Sequence, residues 1–341
     1  MATRTPPESL SRHPTLEAEW QTVLAAAITD PAELCRLLDL PPSWAASAGR
    51  ATGEFPLLVP RTYAARIRPG DPTDPLLLQV LPRKEELEEA PQFTKDPLGE
   101  AEATRTPGLL AKYQNRLLMV TTGACPVHCR FCFRRHFPYI NLPGMTTRWE
   151  AAAKQITADP SIHEVILSGG DPLSVKDGEL SRLIERMAAI PHLRRLRVHS
   201  RFPVLIPQRV TPGLIAALRS TRLTATVVVH VNHPAEIDVA VAEAFGRLVD
   251  AGIPVLSQSV LLRGVNDRVE ILAELCERLV DLRVMPYYLH QLDRVAGTAH
   301  FEVPETTGRA LLAELRTRLP GYAVPRYVRE TPHDPSKVVL A

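Results

Sequence analysis

From about Arg116 to Arg318 the chain repeats one pattern six times: a short aliphatic run, a polar loop, then an amphipathic stretch of helical period. The expected strands are Leu117–Thr121, Glu164–Leu167, Leu196–Val198, Ala225–Val231, Pro254–Ser257 and Arg283–Tyr288. Helical stretches follow near Arg148–Ala158 and Glu179–Ala189, after Thr211-Pro212, near Ile237–Ala251 and Val269–Val280, and from about Pro304 to Arg318. Thr211 is a good cap with Pro212 in the first turn, and Gly252 is a stop signal. Strands that alternate with helices argue for a parallel sheet with helical crossovers. Six units are too few for a closed eight-unit barrel, so the expected fold is α/β, a partial (β/α)6 barrel.

Ahead of this series, Leu16, Trp20, Val23 and Leu24 recur at helical spacing, and Asp30-Pro31 starts a second helix before Leu34, Leu37 and Leu38. From Pro41 to Thr106 the text is Pro-rich and reads as irregular. The expected organisation is a mainly helical N-terminal extension over 1–106 and a core over 107–341 that includes a C-terminal segment. A chain of 341 residues, 45% hydrophobic, suffices for such a core. Its formal charge of +2 gives no field that would point to nucleic acid or a membrane surface. No stretch approaches the roughly 18 apolar residues of a membrane span, and Met1–Thr15 lacks the apolar segment of a secretory signal. A cytoplasmic, soluble protein is expected.

Parallel α/β folds gather their chemistry at the carboxyl ends of the strands. Each unusual polar cluster of this chain follows an expected strand. Cys125-Pro126-Val127-His128-Cys129-Arg130-Phe131-Cys132 follows the first and Ser168-Gly169-Gly170-Asp171-Pro172 the second. His199, Ser200 and Arg201 follow the third, and His230, Asn232 and His233 the fourth. Gln258 and Ser259 follow the fifth, and His290 and Asp293 the sixth.

Three of the five cysteines crowd into eight residues, unlike a disulfide framework, which would spread them out. Cys35 and Cys276 lie in helical patterns and read as small buried hydrophobes. Three thiolates satisfy three irons of a four-iron cubane and leave the fourth open to a small molecule. The competing reading is a non-catalytic zinc module, its site closed by His128 or His136, because structural zinc takes four protein ligands. Placement after the first strand, with a Gly-Gly-Asp loop after the second, favours the cluster.

The Cys-x3-Cys-x-aromatic-Cys stretch, with Phe131 in the aromatic place, resembles the radical S-adenosylmethionine (SAM) superfamily. More narrowly, Cys132-Phe133-Arg134-Arg135-His136-Phe137, the Ser168–Pro172 loop, Gln258–Asp267 and Met285-Pro286-Tyr287-Tyr288 resemble lysine 2,3-aminomutases. Phe55-Pro56-Leu57, Asp96-Pro97-Leu98, His136-Phe137-Pro138-Tyr139 and Asp334-Pro335-Ser336-Lys337 resemble the EpmB-type branch, which makes β-lysine for modification of translation elongation factor P. Clostridial-type enzymes continue well beyond the equivalent of Lys337 with a cysteine-bearing tail. This chain ends four residues later, which again matches the shorter branch.

The resemblance implies a [4Fe-4S] cluster on Cys125, Cys129 and Cys132, with SAM chelating the open iron beside Ser168, Gly169, Gly170, Asp171, Ser200 and Gln258. It implies pyridoxal 5′-phosphate (PLP) as second cofactor, bound covalently by the amine of Lys337. Lys112, Tyr113 and Arg116, just before the first strand, would grip the PLP phosphate, although the family usually has Arg where this chain has Lys112. Arg134 would pair with the substrate carboxylate, and Asp293 and Glu330 with a distant ammonium; the clostridial type has Asp where this chain has Glu330. Two acids argue for a basic amino acid, lysine first, with arginine or ornithine as alternatives. A flavodoxin- or ferredoxin-like electron donor, and an indirect link to elongation factor P through a lysine ligase, are also implied.

Overall fold

All six expected strands form, and five of them run on past the aliphatic stretch that announced them. The computed structural model describes residues 16–53 and 55–341, so the reading of Met1–Thr15 lies outside the described residues. The six are β3 (Arg116–Thr122), β4 (Glu164–Gly169), β5 (Arg195–Ser200), β6 (Thr224–His230), β7 (Val255–Val260) and β8 (Met285–His290); β1, β2, β9 and β10 are introduced below. Backbone pairing continues through polar residues such as His199 and Gln258, which the aliphatic pattern had assigned to loops.

The six-unit series is correct, but it does not end at β8. The last helix is itself a crossover to a seventh parallel strand, β9 (Arg326–Arg329). Two strands, β1 (Thr104–Thr106) and β2 (Leu109–Tyr113), precede β3 antiparallel, and β10 (Val338–Val339) folds back on β9. The result is one ten-stranded sheet in sequence order, parallel from β3 to β9. Lys112 and Tyr113 therefore lie on a strand of their own, and Arg116 opens β3.

The helices of the N-terminal part are α1 (Leu16–Ala25), α2 (Pro31–Leu37), α3 (Pro42–Ala51), α4 (Arg61–Ala64) and α5 (Pro75–Leu78). The stretch read as irregular thus holds three short helices. Two of them begin on a proline, which is a poor interior residue but a good first one. The crossovers are α6 (Met145–Ala158), α7 (Asp177–Ala188), α8 (Phe202–Leu205) with α9 (Pro212–Arg219), α10 (Val239–Asp250), α11 (Val269–Asp281) and α12 (Glu305–Arg318). Caps fix their starts: Thr211 Oγ1 accepts from Leu214 N at 2.9 Å and Asp238 Oδ1 from Val241 N at 2.9 Å. Gly252, at φ +76°, follows α10 as expected.

Each crossover buries a stripe, such as Leu180, Leu183, Ile184 and Met187 of α7. One continuous core joins Trp20, Ile28, Leu57 and Tyr63 to Val165, Val198 and Val229, and Trp20 meets Phe202 edge to face at 5.6 Å. Cys35 and Cys276 are buried free thiols. No helix among the described residues is long and apolar enough to cross a membrane.

Candidate active site

The strands surround a cavity of about 880 Å³ that runs from their amino ends, at Arg116, Glu164 and Arg195, to their carboxyl ends, at Cys125, Cys129 and Cys132. Residues 58–86 hold the cysteine loop in place. Arg130 is fully buried and pairs with Glu86 at 2.9 and 2.6 Å, and its backbone N donates to Gln79 O at 2.9 Å. His128 N donates to Leu58 O at 3.0 Å.

All three cysteines are free and half-buried. Burial and the Cys129 sulfur push the Cys132 thiol up to about 12, while burial and Asp171 push that of Cys125 well up. Burial disfavours thiolates at Cys125 and Cys132, and bound metal would reverse that balance; three free thiols on one loop are the kind of donor set an iron–sulfur cluster takes. Each candidate fourth ligand for zinc has one ring nitrogen on a backbone carbonyl, which leaves the other nitrogen as its only possible metal donor. His128 Nδ1 lies 2.8 Å from Pro56 O with its ring stacked on Phe55, and His136 Nε2 lies 3.2 Å from Ala296 O.

The Ser168–Asp171 loop lines the same wall of the cavity. A Cβ on Gly169 would fall 2.5 Å from Thr122 O, and one on Gly170 2.3 Å from Ala124 O, so the two glycines let this loop lie against the lead-in to Cys125. The Asp171 carboxylate accepts from Ser200 Oγ at 2.8 Å, Arg201 N at 2.7 Å and Leu173 N at 2.9 Å. It ties the ends of β4 and β5 together; burial nonetheless raises its carboxyl to about 6.

Deeper in the cavity, five side chains alternate in charge. Arg134 meets Glu100 through two bonds of 2.8 Å, and Lys112 Nζ lies 3.1 Å from Glu100 and 2.8 Å from Glu330 Oε1. Glu330 Oε2 in turn accepts from Lys337 Nζ. Burial alone would raise the Glu330 carboxyl, but Lys337 and Lys112 hold it well below the carboxylate range. Asp293 is pushed up to about 7 by burial and then by Glu330. Arg134 Nη1 also donates to Ser168 Oγ at 2.9 Å.

At the amino-terminal end of the strands, the Tyr113 hydroxyl is buried without a hydrogen-bond partner and the Arg116 guanidinium stacks 4.7 Å over its ring. An orphaned phenol beside an arginine suits a phosphate. Lys112 is the member of the expected phosphate trio that the acids draw away. His230 and His290 are lowered to about 4 and about 3, chiefly by burial, and both line the cavity as neutral rings with Gln258. The structure thus gathers every expected site residue around one cavity. Sequence reasoning missed Glu100, which joins Arg134 to Lys112, and Gln79 and Glu236, which hold Arg201. The Asp96-Pro97-Leu98 segment was the available signal for Glu100, since Asp96 Oδ1 accepts from Glu100 N at 2.9 Å.

Residues 119–276 match the family model of the Radical SAM superfamily. An L-lysine 2,3-aminomutase of Escherichia coli (strain K12) is 46% identical over 323 residues, covering 94% of this chain and 94% of that protein. That of Haemophilus influenzae is 44% identical, covering 95% and 96%. That of Clostridium subterminale is 40% identical over 79% of this chain and 65% of its own length. With near-complete coverage at this identity, the chain belongs to the L-lysine 2,3-aminomutase family of the radical SAM superfamily.

Proposed function

We propose that the chain is an isomerase that moves the α-amino group of L-lysine to the β-carbon, giving β-lysine. The observation that carries this reading is one cavity lined together by three free cysteines, Lys337, Arg134, Asp293 and Glu330. When bound, the [4Fe-4S] cluster with SAM supplies one-electron chemistry at an unactivated C–H bond, and PLP carries the migrating amino group.

The residues divide that work. Cys125, Cys129 and Cys132 hold the cluster. Ser168, Gly169, Gly170, Asp171, Ser200 and Gln258 form the SAM wall. Tyr113 and Arg116, with Lys112 beside them, receive the PLP phosphate, and the Lys337 amine holds the cofactor's aldehyde. Arg134 has both N–H groups of one edge bound to Glu100 and its Nη1 on Ser168 Oγ and Gly169 O, so a substrate carboxylate meets it on the Nη1–Nη2 side by taking the place of the Ser168 and Gly169 contacts. Asp293 and Glu330 neutralise the far ammonium. Lys337 rests on Glu330 in this structure, so its own ammonium stands in for the side chain of a lysine substrate.

A flavodoxin- or ferredoxin-like protein supplies the electron, and β-lysine passes through a lysine ligase to elongation factor P. The resemblance of Phe55-Pro56-Leu57 and Asp96-Pro97-Leu98 to that branch supports this reading; in the fold, Phe55 O accepts from Arg130 and Pro56 O contacts His128 of the cysteine loop. Anaerobically reconstituted protein given SAM, dithionite and lysine, arginine or ornithine in parallel tests the activity. Conversion of lysine alone is expected. Conversion of arginine or ornithine instead would reassign the substrate, and inactivity with intact cluster and PLP would overturn the reading.

A further inference from the structure

We propose that Arg201 sets the reduction potential of the cluster on Cys125, Cys129 and Cys132, by donating an N–H···S hydrogen bond to Cys129 from a buried scaffold of Glu236 and Gln79. The proposal rests on the reading that those cysteines carry a [4Fe-4S] cluster.

Arg201 follows β5 and is 5% exposed. Its Nη1 lies 2.8 Å from Cys129 Sγ, while Nη2 donates to Gln79 Oε1 at 2.6 Å and to Glu236 Oε2 at 3.0 Å. The guanidinium also lies 5.4 Å from the Phe131 ring centre and 5.7 Å from that of Tyr63. Its backbone N is fixed by Asp171 at 2.7 Å. The acid is equally constrained: Glu236, fully buried, accepts from Asn232 N at 3.0 Å, His233 N at 3.2 Å and Gln79 Nε2 at 3.1 Å. Gln79 is held in turn by Asn232 Nδ2 at 3.0 Å.

This scaffold exceeds what an ion pair needs. Replacing a buried pair by apolar residues is often neutral or stabilising, so stability alone is a weak reason to keep one. What the scaffold achieves is to aim Nη1 at a sulfur while Nη2 is held on Gln79 and Glu236. Reduction adds one negative charge to a buried cluster, and hydrogen bonds to its sulfurs are among the levers that set the cost. A fixed cationic donor stabilises the reduced form and raises the potential; Glu236 opposes it.

The test is an EPR-monitored redox titration of anaerobically reconstituted protein, using dithionite as reductant, with iron and sulfide content measured on each sample. The neutral double variant Arg201→Met with Glu236→Gln leaves no buried charge unpaired. Its midpoint is expected to fall by a tenfold or greater change in the reduction equilibrium, about 59 mV for one electron. Glu236→Gln alone keeps the donor and removes the opposing anion, so its midpoint is expected to rise. Shifts of opposite sign are not what a merely structural pair produces. Unchanged midpoints in fully loaded protein would overturn the proposal and leave the cluster reading standing. Wild-type protein that takes up no iron would overturn that reading instead. If the double variant takes up no cluster, the sign of the Glu236→Gln shift decides.

Discussion

Arg134 and Glu100 meet fork to fork, Nε at 2.8 Å from Oε2 and Nη2 at 2.8 Å from Oε1, with both side chains under 5% exposed. The same carboxylate takes Lys112 at 3.1 Å. Removing it leaves Arg134 without its carboxylate in a buried site, while Lys112 keeps Glu330, and breaking a buried pair from one side costs about 3–5 kcal/mol. Glu100→Ala is therefore expected to lower the urea midpoint by that equivalent and to raise KM for lysine. Glu100→Asp, which keeps the charge, is expected to lose less on both measures. Equal losses would show that shape rather than charge matters there.

Lys337 reaches the cavity from the segment before β10, and its side chain is 21% exposed. Its loss leaves Glu330 still paired with Lys112, so the fold should survive. Lys337→Ala is expected to abolish the visible absorbance of bound PLP while iron content stays at the wild-type level. Retained absorbance would take Lys337 out of the site.

Asp293, pushed up to about 7 by burial and Glu330, is neutral below that pH and ionised above it. Lys337, Lys112 and Glu100 also act on it. The lysine side chain, with an ordinary pKa of about 10.4, stays cationic throughout. The log of kcat/KM for lysine should thus rise with pH through about 7, since this ratio reports the free enzyme. In Asp293→Asn the step should vanish. A flat wild-type profile across that window contradicts the assignment.

Gly170 offers a test of the two loops at the cluster end. A methyl group there would sit 2.3 Å from Ala124 O, a backbone atom that cannot step aside without moving Cys125. Gly170→Ala is expected to cut iron incorporation several-fold, measured as iron per chain after reconstitution. Gly178, whose Cβ would meet nothing within 4 Å, is the control: Gly178→Ala should incorporate normally.

The parallel core was legible because buried strands are aliphatic and crossover helices amphipathic. Their carboxyl ends were not, since His199, Gln258 and His290 pair through the backbone while their side chains turn polar toward the cavity. The short strand Arg326–Arg329 carries two exposed arginines around a buried Tyr327 and Val328, too little to announce itself. At the site, the cysteine spacing and the Gly-Gly-Asp loop could be read because local geometry demands them. Lys337 came only through resemblance. Glu100 and the Gln79–Arg201–Glu236 scaffold are made by residues distant in sequence, so their meeting depends on the finished fold.

The claim beneath all of this is a cubane gripped by three sulfurs, with one iron free for SAM. Iron, sulfide and zinc analysis of anaerobically reconstituted protein, with EPR of the reduced sample before and after SAM is added, tests it directly. The account predicts about four irons per chain and a spectrum that changes when SAM binds. Zinc in place of iron, or a reduced cluster whose spectrum ignores SAM, would contradict it.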